Sequence, residues 1–142
     1  MKILVTGIAG FIGSHLAERL VGQDLEVVGI DNLSSGVAEN LSPIQTSGRF
    51  SFIKGDILDR ETVLGALHDV DTVFHMAAQS SVPRSTEDPL GDFEVNVRGT
   101  LNVLECAVKA GAEKVIFGSS STVYGEASAL PTPENHPFSP IS

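Results

Sequence analysis

The chain has 142 residues, of which 42% are hydrophobic and 19% charged, with one cysteine and no tryptophan. Nine lysines and arginines against eighteen aspartates and glutamates give a net charge of −9, which repels phosphate backbones and makes nucleic acid and anionic membrane poor partners. The length suits one domain with a real core, the lone Cys106 excludes an internal disulfide, and the apolar run Ile3-Leu4-Val5 is too short for a signal-peptide core or a membrane span.

Short β-branched runs alternate with helix-like stretches, the pattern of an α/β domain built on a parallel sheet. The first strand is expected over residues 3–6, apolar almost throughout, as a strand covered on both faces would be. A helix over Phe11–Val21 follows, with Ile12, Leu16 and Leu20 at four-residue spacing. Further strands are expected at 26–30, Phe50–Lys54, Thr72–His75 and 114–118, and a helix over 59–68 opens with Asp59 as its N-cap. The clearest helix carries Leu90, Phe93, Val97, Leu101, Leu104 and Val108, one face of a 3.6-residue period. Pro89 sits where a first-turn proline is tolerated, and Gly111 stands as the C-terminal stop. After Gly125 four prolines, Pro131, Pro133, Pro137 and Pro140, remove every period, so residues 126–142 read as a loop after a domain at 1–125. No helix follows to cover the last strand. The sequence therefore reads as cut, and apolar surface left on that strand and the long helix is expected to favour a homo-oligomer or a neighbour-stabilised fragment.

Strand, glycine turn and helix follow one another at Gly7-Ile8-Ala9-Gly10-Phe11-Ile12-Gly13. Gly7 permits a tight turn, Gly10 removes a Cβ that would block a pyrophosphate, and Gly13 lets the helix approach the strand. Unpaired N–H groups at the helix start suit an anion. The plainer account is a turn whose glycines serve packing alone. Asp31 ends the second strand, where a carboxylate accepts hydrogen bonds from an adenosine ribose and repels a 2′-phosphate. The segment Asn32-Leu33-Ser34-Ser35-Gly36 offers no arginine, and the next cation is Arg49, so NAD is expected over NADP. Taken singly, Asp31 would pass as a capping or turn aspartate.

With Thr6-Gly7-x-x-Gly10-x-x-Gly13, Asp31-Asn32-Leu33, Gly55-Asp56-Ile57, His75-x-Ala77-Ala78-Gln79, Asn96-Val97-x-Gly99-Thr100 and Ser119-Ser120-Ser121-Thr122-Val123-Tyr124-Gly125 in order, the sequence resembles the extended short-chain dehydrogenases. Within them it is most similar to the NAD-dependent nucleotide-sugar epimerases and dehydratases. The resemblance implies a Rossmann-type doubly wound parallel sheet, strand order 3-2-1-4-5, truncated before the later strands and the substrate domain. It implies NAD as cofactor, a UDP-sugar as substrate of the parent protein, a cytoplasmic location and no metal. Beside the glycine turn with Phe11 and Ile12, it assigns Asp31, Asn32, Ser35 and Gly36 to the adenosine half. Asp56 and Ile57 fall to the adenine, and Met76, Ala77, Ala78 and Ser80 to the pyrophosphate and nicotinamide ribose. Asn96 is assigned to the cofactor site, where a polar residue on the long helix can brace the active-site backbone; the plainer account is a solvated helix position. His75, at a strand end, reads as a structural histidine.

Ser120 matches the family's catalytic serine or threonine, four residues before Tyr124, where a hydroxyl can bond the sugar hydroxyl being oxidised. No basic partner suggests a hydrolase nucleophile, and Gly-x-Ser-x-Gly is absent. The family base is the tyrosine of Tyr-x-x-x-Lys, whose lysine lowers the phenol pKa. The single tyrosine here, Tyr124, has Ser128 four positions on, so the base pair is expected just beyond Ser142. Ser121-Thr122 lacks the carboxylates that the related dehydratases and decarboxylases hold there, which favours a UDP-glucose 4-epimerase-like reaction through a 4-keto sugar. The alternatives are a non-catalytic dinucleotide module or a related NAD-dependent sugar dehydratase or reductase.

Overall fold

Five apolar runs become five parallel strands, β1 (Lys2–Thr6), β2 (Glu26–Asp31), β3 (Phe50–Lys54), β4 (Thr72–His75) and β5 (Lys114–Phe117). The structure is a computed structural model and describes residues 1–141. The strands lie in the order β3-β2-β1-β4-β5, as expected for a Rossmann-type sheet. In register, Thr6 of β1 stands beside Ile30 of β2 and His75 of β4, so the carboxyl ends of the three central strands are level. The chain reverses its direction of travel across the sheet between β1 and β4, which opens a crevice at that edge.

Alternate residues of each strand face opposite sides. Leu4, Val28, Ile30 and Val73 point into one core, shared with Val63 and Leu67 around α2 (Arg60–Ala66) and with Val103, Cys106 and Ala107 of α5 (Thr100–Ala110). Ile3, Val5 and Val27 point into the other, shared with Ile8 and with Ala17 and Leu20 of α1 (Phe11–Val21). Asp59 caps α2 as expected, accepting from the N–H groups of Glu61 and Thr62, but the helix ends at Ala66 rather than 68. Asp69 three residues later has φ 59°, a left-handed conformation that breaks the helical path.

One correction concerns the long helix. It is not one α-helix: α4 (Pro89–Phe93) passes into a π-helical segment, Glu94–Gly99, before α5. Its regular apolar stripe faces away from the sheet. Leu90, Phe93, Val97, Leu101 and Val108 are each at least half exposed, while Gly99, Val103, Cys106 and Ala107 are buried. Small side chains let the helix lie close on the sheet, and the larger apolar residues stay outside. Ile116 and Phe117 of β5 are exposed as well, so the apolar surface expected on the last strand and long helix is present. A short helix missing from the expectations, α3 (Val82–Glu87), is capped by Ser81 with Pro83 in its first turn. After a 3₁₀ turn at Ser121–Tyr124 the described residues form no further helix or strand. Among them no helix is long and apolar enough to cross a membrane.

Candidate functional site

A cleft of about 570 Å³ opens at the carboxyl ends of the strands, in the size range of small-molecule sites. Its floor is the turn after β1. Gly7 adopts φ 67°, and a Cβ there would stand 2.7 Å from the backbone of Ala77. A Cβ on Gly13 would stand 2.2 Å from the Gly7 carbonyl oxygen. These two glycines let β1, α1 and the chain after β4 meet backbone to backbone. No side chain caps α1, and among the described residues the N–H groups of Phe11, Ile12 and Gly13 have no acceptor. Such orphan donors at a helix start fit an anionic ligand.

At the next strand end Asp31 is 8% exposed. One carboxylate oxygen accepts the Ala9 N–H at 2.9 Å and the other the Leu33 N–H at 2.8 Å. Each oxygen keeps a lone pair for a ligand hydroxyl. Gly36 lies against this carboxylate, since a Cβ there would be 3.0 Å from both oxygens. Asn32 donates to Asp56 at 2.8 Å, tying the ends of β2 and β3 into one rim.

The opposite wall is the segment after β4, from Met76 to Ser80. Thr6 Oγ1 accepts the N–H groups of Met76 and Ala77 at 3.2 and 3.1 Å. Asn96 grips the far end, accepting from Gln79 N–H at 2.8 Å and donating to the Gln79 carbonyl at 3.0 Å. Buried His75 lies beneath, and desolvation pushes its imidazole from 6.5 down to about 4. The folded state therefore holds it neutral, whereas the unfolded chain takes up a proton below about pH 6.5. Stability from this group is complete above about pH 6.5 and is lost as pH falls toward 4. The expected loss is about 2 kcal/mol by pH 5 and about 3 kcal/mol by pH 4. Denaturant midpoints read at intervals between pH 7 and 5 check this, and a flat profile would contradict it.

Ser120 follows β5 on the same rim. Its Oγ accepts from the Thr122 N–H and hydroxyl at 3.3 and 2.9 Å, which leaves its own proton free to donate. Tyr124 turns away into the tail, where its ring meets His136 and Phe138 at 5.7 and 5.8 Å between centroids.

The cleft gathers Gly7, Gly10, Phe11, Ile12 and Gly13 from the turn, with Asp31, Asn32, Ser35 and Gly36 from the second strand end. Asp56, Ile57, Met76, Ala77, Ala78, Ser80 and Ser120 complete the expected set. Asn96 does not line it and acts from behind, through Gln79. Gly55, Gln79, Ser119 and Ser121 line it unexpectedly, although each stands inside a quoted motif. Ile30, Ser34 and Val95 border it as chain neighbours of Asp31, Ser35 and Asn96, and Gly118 stands two residues before Ser120. Among the described residues no group of three or more His, Cys, Asp or Glu side chains is placed to hold a metal ion.

The family profile described as GDP-mannose 4,6 dehydratase matches residues 4–142. The UDP-glucose 4-epimerase of Mycolicibacterium smegmatis is 49% identical over 144 residues, covering 100% of this chain and 46% of that protein. The solved structure of a Thermotoga maritima UDP-glucose 4-epimerase with UDP-glucose superposes with a TM-score of 0.88 at 42% identity, over 100% of this chain and 46% of its own. A dTDP-glucose 4,6-dehydratase from Streptomyces venezuelae, solved with NAD bound, gives 0.91 at 38% identity, over 99% and 46%. The chain thus spans about half the length of the relatives it matches.

Proposed function

The chain belongs to the GDP-mannose 4,6 dehydratase family, whose members include nucleotide-sugar epimerases and dehydratases, and on that premise we propose that it is the NAD-binding part of a UDP-glucose 4-epimerase-like enzyme. The observation that carries the reading is one cleft holding both an uncapped glycine turn and a carboxylate already anchored by two backbone N–H groups. In this reading Phe11 and Ile12 donate N–H bonds to the pyrophosphate, while Gly10 keeps the floor clear and Gly7 and Gly13 hold the turn tight. Asp31 accepts from the adenosine ribose hydroxyls, with Asn32, Ser35 and Gly36 shaping that end. Asp56 and Ile57 meet the adenine. Met76, Ala77, Ala78 and Ser80 form the wall along the nicotinamide half. Residues 1–125 make the binding unit, and 126–142 lead toward the helix that would carry the Tyr-x-x-x-Lys pair.

The dinucleotide supplies a reversible hydride acceptor. Ser120, its own proton unspent, donates to the sugar oxygen as hydroxyl becomes carbonyl. Ser121-Thr122 brings no carboxylate for elimination, which supports epimerisation over dehydration. These 142 residues hold no tyrosine with a lysine four positions on, so they are expected to bind NAD without converting UDP-glucose. Calorimetry should give NAD at least about tenfold tighter than NADP, as repulsion between Asp31 and a 2′-phosphate requires. Equal or tighter NADP binding, or robust UDP-glucose turnover by the 142 residues, would overturn the corresponding part.

A further inference from the structure

Beneath the cleft runs a chain of side-chain hydrogen bonds that no step above uses. Its direction follows from counting protons. Thr100 Oγ1 donates its one proton to the Asn96 carbonyl at 2.7 Å. Towards His75 Nε2, 2.9 Å away, it can therefore only accept, so Nε2 carries the ring proton. Nδ1 is then bare and accepts from Thr6 Oγ1 at 2.7 Å. The Thr6 hydroxyl, its proton given to the ring, accepts the Met76 and Ala77 N–H groups. Each hydroxyl proton has one destination. The relay ends at the main-chain carbonyl of Asn96, which takes the Thr100 proton, and the side-chain amide of the same residue clasps Gln79. Its two ends thus hold the two ends of the segment that walls the cleft.

We propose that His75 is a positioning residue for the cofactor wall: as the neutral Nε2–H tautomer it links Thr6 to Thr100 and so fixes the placement of Met76–Gln79 on which dinucleotide affinity depends. The proposal rests on the cleft being a dinucleotide site. The opposite tautomer puts two acceptors face to face between Nε2 and Thr100, or forces the Thr100 proton off the Asn96 carbonyl. An imidazolium requires Thr6 Oγ1 to accept a third N–H and to turn its own proton into the core. No charged side chain bonds the ring on either side: its neighbours are Thr6 on β1, Thr100 on α5 and the Phe117 ring on β5, 5.7 Å between centroids. Nothing there compensates a ring charge. The π-helical segment ends where the relay attaches, and π turns inside helices recur at functional sites.

The test pairs Thr100→Val, which removes the acceptor for Nε2–H, with Thr100→Ser, which keeps it. Thr100 itself does not line the cleft. At a pH and temperature where both variants are fully folded, Thr100→Val is expected to weaken NADH binding about tenfold, the worth of one buried hydrogen bond. Amide exchange should speed up selectively at Ala77 and Gln79, and Thr100→Ser should restore both. In the unaltered chain, nitrogen NMR of His75 at neutral pH should show a protonated Nε2 and a bare Nδ1, a readout that survives if a variant fails to fold. The reverse tautomer, an imidazolium at pH 7, or unchanged affinity and exchange in Thr100→Val would overturn the proposal. If the unaltered chain binds no dinucleotide while exchange at Ala77 and Gln79 still rises selectively, the relay stands as a brace. The dinucleotide reading of the cleft, and the affinity role with it, then falls.

Discussion

Replacing Gly13 by alanine is expected to destabilise the chain by about 3 kcal/mol or more and to raise the dissociation constant for NAD at least about a hundredfold. The added Cβ would stand 2.2 Å from the Gly7 carbonyl oxygen and 2.8 Å from the Ile8 Cα. Both neighbours are backbone, so no side-chain rotation relieves the clash and the turn itself must shift. The donors on Phe11 and Ile12 would shift with it, which is why affinity falls together with stability. Gly65 inside α2 provides the contrast. A Cβ there meets nothing within 4 Å, so Gly65→Ala is expected to stabilise by about 0.5 to 1 kcal/mol through helix propensity. Denaturant midpoints and calorimetry on the two variants check both effects. Wild-type behaviour of Gly13→Ala would mean that the turn tolerates a looser approach of helix and strand.

Asp31→Ala should reduce NAD affinity about a hundredfold and flatten the preference over NADP. Two charge-assisted bonds to a ribose diol are worth a few kcal/mol together, and the repulsion of a 2′-phosphate disappears with the charge. The same change leaves the Ala9 and Leu33 N–H groups without their acceptor, and Ala9 is fully buried. A stability loss of about 1 to 3 kcal/mol accompanies it. Binding of both dinucleotides is measured where the variant is fully folded, so the two effects separate. Unchanged discrimination would remove Asp31 from the role of selector.

The sheet was legible because its strands are short, largely apolar runs bounded by turn residues, although only the central strands β1, β2 and β4 are buried. The floor and rims of the cleft were legible for a related reason. Glycines and acids at strand ends sit in unbroken stretches of sequence, from Gly7 to Gly13 and from Asp31 to Gly36. The long helix shows where reading stops. Its period announced a helix but not which side meets the sheet, because Gly99, Val103, Cys106 and Ala107 are less hydrophobic by count than the Leu90-to-Val108 stripe. Close approach selects small residues, and a hydrophobicity period ranks them last. Nor can spacing reveal the relay, since Thr6, His75 and Thr100 come together only through the β1–β4 register and the packing of α5.

The near-contact between Gly7 and the Ala77 backbone has a mechanical corollary. Loop one and loop four are keyed together with no side chain between them to act as a cushion, and the Thr6 bonds to Met76 and Ala77 rivet the joint. The molecule therefore grips with one rigid jaw. Whatever widening lets a long, two-headed guest slide in must come from the rim at Asn32 and Asp56 or from the stretch around Ser120, and those are the places where a guest's arrival would quiet motion most.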